Sequence, residues 1–62
     1  MSKIIWNEVH DEGGNLAKIV ISNRDGGHVY DFLWTPDEPN TPENREEFRS
    51  WVSRFLANKG LE

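Results

Sequence analysis

The feature that most constrains this chain is one apolar stripe near its C-terminal end. Phe48, Trp51, Val52, Phe55 and Leu56 recur at i, i+3, i+4, i+7 and i+8, the period of an amphipathic helix. Thr41 is a good N-cap, Pro42 suits the first helical position, and Lys59-Gly60 marks the stop. A helix with a single apolar stripe must bury that stripe against another element.

The remaining sequence supplies a sheet for that purpose. Residues 3–9, 16–23 and 28–35 are rich in β-branched and aromatic side chains and are separated by Gly13-Gly14 and Gly26-Gly27. The expected fold is α+β: a three-stranded antiparallel meander packed on one face by a single C-terminal amphipathic helix (β-β-β-α). It forms one domain over residues 1–60, with Leu61-Glu62 read as a cloning-tag remnant outside the fold.

Register follows from the turns. A two-residue type I′ turn at Asp25-Gly26 sets Ile21 opposite Tyr30, Ile19 opposite Phe32 and Ala17 opposite Trp34, all on the core face. The reverse face then carries Lys18, Val20, Ser22, Val29, Asp31 and Leu33. The first strand alternates imperfectly. A two-residue turn at Gly13-Gly14 turns Ile4, Trp6, Glu8 and His10 inward, whereas a three-residue loop with a bulge turns Ile5, Asn7 and Val9 inward. The first phase is preferred because it sets Trp6 against Ile21. Pro36 and Pro39 mark the irregular connection to the helix.

Composition limits the chemistry. A 62-residue chain buries only about 60% of its unfolded surface, and without cysteine it has no disulfide to add. His10 and His28 lie at opposite ends of the meander, so they cannot converge on a metal or share a proton. The serines have no nucleophile-elbow setting, and the glycine pairs fit neither a P-loop nor a dinucleotide fingerprint. No catalytic residue, metal, cofactor or small-molecule ligand is expected. No apolar run reaches the ~18 residues of a membrane span, and the first residues lack the apolar core of a signal peptide, so a cytoplasmic protein is expected.

The net charge of -4 is segregated. Residues 36–47 hold five acids and one base, whereas residues 48–60 hold three bases and no acid. Glu43, Glu46 and Glu47 near the helix start, with Arg49, Arg54 and Lys59 beyond them, also match the helix dipole. A broad basic face for phosphate is absent, which disfavours nucleic acid.

Two surfaces are therefore candidates for binding a protein partner or a second copy. One is the uncovered sheet face, with Ile5, Val9, Lys18, Val20, Val29, Asp31 and Leu33. The other is the acidic helix start, with Asp37, Glu38, Glu43, Glu46 and Glu47. The expected function is that of a non-catalytic protein-interaction module. By compositional analogy, a small, acidic, cysteine-free chain of this kind is similar to accessory proteins that bacteria and phages encode to modulate or inhibit a larger host protein.

The strand-strand-strand-helix order also resembles the small DNA-binding domains of the integrase-arm and plant AP2 type. That resemblance implies a sheet laid in the major groove, for which Lys3, Lys18 and Arg24 are the available cations. Tyr30, Phe32 and Trp34, spaced like a base-stacking platform, are read instead as the floor on which the helix packs.

Overall fold

The computed structural model describes residues 3–61. Strands β1 (Ile4–His10), β2 (Leu16–Asn23) and β3 (His28–Leu33) precede one helix, α1 (Pro42–Asn58). The strands form an antiparallel sheet in the order β1-β2-β3. This is the expected β-β-β-α architecture.

Both hairpins use a three-residue loop in place of the expected two-residue turn. In the first, the Gly14 N–H donates to the Asp11 carbonyl at 3.0 Å and the Asp11 N–H to the Asn15 carbonyl at 2.9 Å. In the second, the Gly26 N–H donates to the Asn23 carbonyl at 3.0 Å and the Asn23 N–H to the Gly27 carbonyl at 2.6 Å. Gly14 (φ 83°) and Gly26 (φ 97°) take the left-handed position that closes each loop. Type I′ needs two successive positive-φ residues, and neither Asp25 nor Gly13 has a positive φ.

A three-residue loop shifts the register by one, and each returning strand absorbs the shift in a bulge. On β2 the pairing passes from Val9 opposite Lys18 to His10 opposite Leu16, leaving Ala17 over. On β3 it passes from Ile21 opposite Tyr30 to Ser22 opposite His28, leaving Val29 over. The two departures cancel, so Trp6 still pairs with Ile21, Ile21 with Tyr30 and Ile19 with Phe32. The bulge also reassigns individual side chains. Leu16, not Ala17, enters the core, because one extra residue inverts the alternation beyond it.

The core contains Ile4, Leu16, Ile19, Ile21 and Phe32 from the sheet with Val52 and Leu56 from the helix. Burying each large aliphatic stabilises the fold by ~1.5–3 kcal/mol. The aromatic run of β3 lies under the helix as expected. Tyr30 and Phe32 meet Phe55 edge-on at 5.2 and 5.4 Å, and Trp34 meets Phe48 at 5.1 Å. Phe32 is thereby buried, and Tyr30 and Trp34 are half-buried, so the run serves as the floor for the helix.

Capping matches the sequence closely at both helix ends. Thr41 Oγ1 accepts from the Asn44 N–H at 3.2 Å, and Pro42 opens the helix. At the other end Lys59 is the C-cap and Gly60 takes φ 73°. The Gly60 N–H donates to Ala57 and the Leu61 N–H to Leu56, each at 3.0 Å, which together make a Schellman motif. Leu61 packs against the core cluster, so this residue, expected outside the fold, completes it. Glu62 lies outside the described residues.

Asn40 holds the connection in place. Its Oδ1 accepts from the Leu16 N–H at 3.1 Å, and its Nδ2 donates to the Leu16 carbonyl at 2.9 Å. One side-chain amide thereby satisfies the backbone of a residue next to the bulge. Arg45 donates to both the carbonyl and the Oδ1 of Asn40, which fixes the amide orientation.

Candidate functional site

Alternation along the strands sends Ile5, Asn7, Val9, Lys18, Val20, Asp31 and Leu33 to the side away from the helix. No described element covers that side. Register decides how these residues are arranged. Ile5 pairs with Ser22, Val20 with both Asn7 and Asp31, and Lys18 with both Val9 and Leu33. Ile5, Val20 and Leu33 are therefore diagonal neighbours across three strands, about 7–8 Å apart from one strand to the next. Val9 adjoins this line, while Asn7, Lys18 and Asp31 lie beside it.

Exposure separates structural from surface positions. Among the described residues, three large hydrophobic side chains are exposed: Ile5 at 47%, Leu33 at 69% and Trp51 at 50%. The first two are the ends of the diagonal, so the apolar line of the open face lies at the surface. Val29 leaves this set: as the bulged residue of β3 it is half-buried and packs against the core cluster. At the corner of the face, His28 Nε2 lies 3.1 Å from Asp31 Oδ1.

The acidic residues of the helix start are all exposed, but they do not act as one group. Only Glu43 lies in the first helical turn. Glu46 pairs with Arg49 at 2.7 Å. Lys59 is the C-cap, just past the last turn, and its ammonium lies 5.5 Å above the Phe55 ring. Dipole matching thus accounts directly for Glu43 and Lys59.

Glu38 and Glu47 are drawn into a different feature, a surface groove of about 310 Å³ beside the outer flank of α1. Trp34, Phe48 and Trp51 contribute its aromatic lining, and Arg54 lies on it as well. The Trp34 indole N–H donates to the Glu38 carbonyl at 2.9 Å, which orients that ring. The sequence places Phe48 and Trp51 in the helix stripe and Trp34 on the sheet floor beneath it, and gives no direct sign of the groove. The available signal was Glu47, Trp51 and Arg54 at i, i+4 and i+7, one flank of the helix displaced from the stripe.

Glu8 and Arg49 are the strongly coupled ionisable pair. The Arg49 guanidinium hydrogen-bonds to the Glu8 carboxylate and holds its pKa below the ordinary glutamate value, against the opposing effect of burial and with help from the Trp6 indole. Glu8 in turn raises the pKa of Arg49, so that side chain stays cationic throughout. Both charges are used in joining strand to helix. Among the described residues no group of three His, Cys, Asp or Glu side chains is placed to hold a metal, and no helix is long and apolar enough to cross a membrane.

Neither a protein-family model, nor a curated protein, nor a solved structure matches this chain.

Proposed function

We propose that the chain is a non-catalytic protein-interaction module of the cytoplasm that docks on a larger protein and modulates it. The sheet face opposite the helix is its main contact. The observation that carries this reading is the diagonal Ile5, Val20, Leu33, whose two ends are exposed on a face without a covering element. A small accessory protein of bacterial or phage type is the setting that suits such a module.

A larger partner fits better than a second copy. Three strands at ~4.8 Å spacing and six residues at ~3.3 Å give a flat footprint of roughly 300 Å², small for a stable complex, in which each side buries ~800 Å² of accessible surface. A partner of greater extent can pass around the free edge of β3, where Leu33 on one side is followed directly by Trp34 of the groove on the other. The acidic helix start then becomes the second contact. A nucleic-acid reading draws less support, because the open face offers Lys18 against Asp31 and little to neutralise phosphates.

The test is quantitative capture by the tagged protein from its source cells, with Ile5→Lys/Leu33→Lys compared against Glu12→Gln on a turn. The expected result is a protein retained by wild type and by E12Q and lost from the double variant, all three having the same circular dichroism. Equal retention by all three, or no retained protein and a strict monomer by light scattering, would sink the reading.

A further inference from the structure

We propose that the groove beside the helix is a receptor for a lysine or arginine side chain of the partner protein, an inference that rests on the docking reading above and names the chemistry of its second contact. The lining selects a cation in two ways. Trp34, Phe48 and Trp51 present aromatic rings, whose faces attract an ammonium or guanidinium within ~6 Å. Glu38 and Glu47 are the acidic residues of the lining, and neither carboxylate is engaged by another described side chain. A neutral apolar occupant would use the rings and desolvate the acids without return.

The receptor is preorganised. Trp34 is held by its hydrogen bond to the Glu38 carbonyl and by its edge contact with Phe48. Trp51 stacks on Phe55 at 5.7 Å and meets Phe32 edge-on at the same distance, yet it remains half exposed. Little side-chain freedom is left to lose when a ligand arrives. The groove is also polar along its length. Glu47 and Arg54 are seven residues apart on the helix, about 10 Å along its axis. A cation is therefore drawn to the Glu38 and Glu47 end and repelled from the Arg54 end, which orients the segment that carries it.

The experiment titrates the whole protein with an end-blocked oligolysine peptide, its arginine counterpart and its norleucine counterpart, following the indole N–H signals by NMR. Trp6 is an internal control, since its indole donates to Glu8 on the other flank of the sheet. The expected result is a saturable shift of Trp51 and Trp34 with the lysine and arginine peptides, none with norleucine, and little change at Trp6. Glu47→Lys should weaken binding about tenfold or more, and Arg54→Gln should tighten it. An equal response to norleucine, equal shifts at Trp6, an unaltered response in E47K, or no response would each overturn the proposal. Loss of the peptide response with sheet-dependent capture intact would remove the groove receptor alone and leave the docking reading standing.

Discussion

Arg49 grips Glu8 with two hydrogen bonds, Nε to Oε2 at 2.8 Å and Nη2 to Oε1 at 3.0 Å, tying the middle of the helix to the first strand across 41 positions of sequence. Trp6 adds a third bond to the same carboxylate at 3.0 Å. The consequence is directional. With Glu8 held toward the helix, Ile5, Asn7 and Val9 must face away from it. A polar clamp on the covered side thus determines what the open side displays.

That clamp makes stability depend on pH. Glu8 has a lowered pKa in the folded state, so its contribution is present above the ordinary glutamate value of about 4.5 and is lost as pH falls through the lowered value. Glu8→Gln should cost about 1 kcal/mol at neutral pH, a figure discounted for partial solvent screening. Urea melts at neutral pH and near pH 3 check this: the gap between wild type and variant should shrink in acid.

The amide of Asn40 should matter as much as a core methyl group. Asn40→Ala leaves both backbone groups of Leu16 without their partner and should destabilise by about 2 kcal/mol. Asn40→Asp keeps the shape but cannot donate to the Leu16 carbonyl, so it too should lose stability. Thermal or urea unfolding of the two variants measures both effects.

Turn geometry predicts a contrast between adjacent glycines. Gly14→Ala and Gly26→Ala place a Cβ at positive φ and should each cost about 1 kcal/mol. Gly13→Ala has no such strain, and its Cβ would meet Asp11 Oδ1 at an ordinary 3.4 Å, so its effect should stay within about 0.5 kcal/mol. Parallel urea melts decide the ranking.

Removal of residues 61 and 62 should destabilise the chain by about 1–2 kcal/mol, because Leu61 closes the Schellman motif and covers part of the core. Calorimetry of a chain ending at Gly60 tests this. An unchanged midpoint would mean that the docking of Leu61 adds nothing.

The legible parts of this protein were those written in local patterns. Thr41, Pro42 and Gly60 mark the helix ends because capping is chemistry between near neighbours, and the stripe from Phe48 to Leu56 needed only a period. Strand register was legible in the middle of the sheet and wrong in the loops that produce it. A three-residue loop is expected to turn Ile5, Asn7 and Val9 inward, but the bulge at Ala17 restores the central pairs of a two-residue turn, so the phase of β1 does not report the loop length. What separated the two loop lengths was the fate of Leu16 and Val29. The Asn40 bridge to Leu16 spans 24 residues and leaves no pattern. The groove was hidden because Phe48 and Trp51 fit the helix stripe and Trp34 the strand alternation, and only packing shows that all three rings border the surface. Of the proposed contacts, the open face was legible in advance, apart from Val29.

The most direct test of the docking account is site-specific photo-crosslinking in source-cell extract, with the photoreactive residue at position 5 or 33 and at position 12 as control. The account predicts one discrete adduct with a larger protein from positions 5 and 33, and none from position 12. Adducts of equal yield from all three positions, or none from 5 and 33, would contradict it.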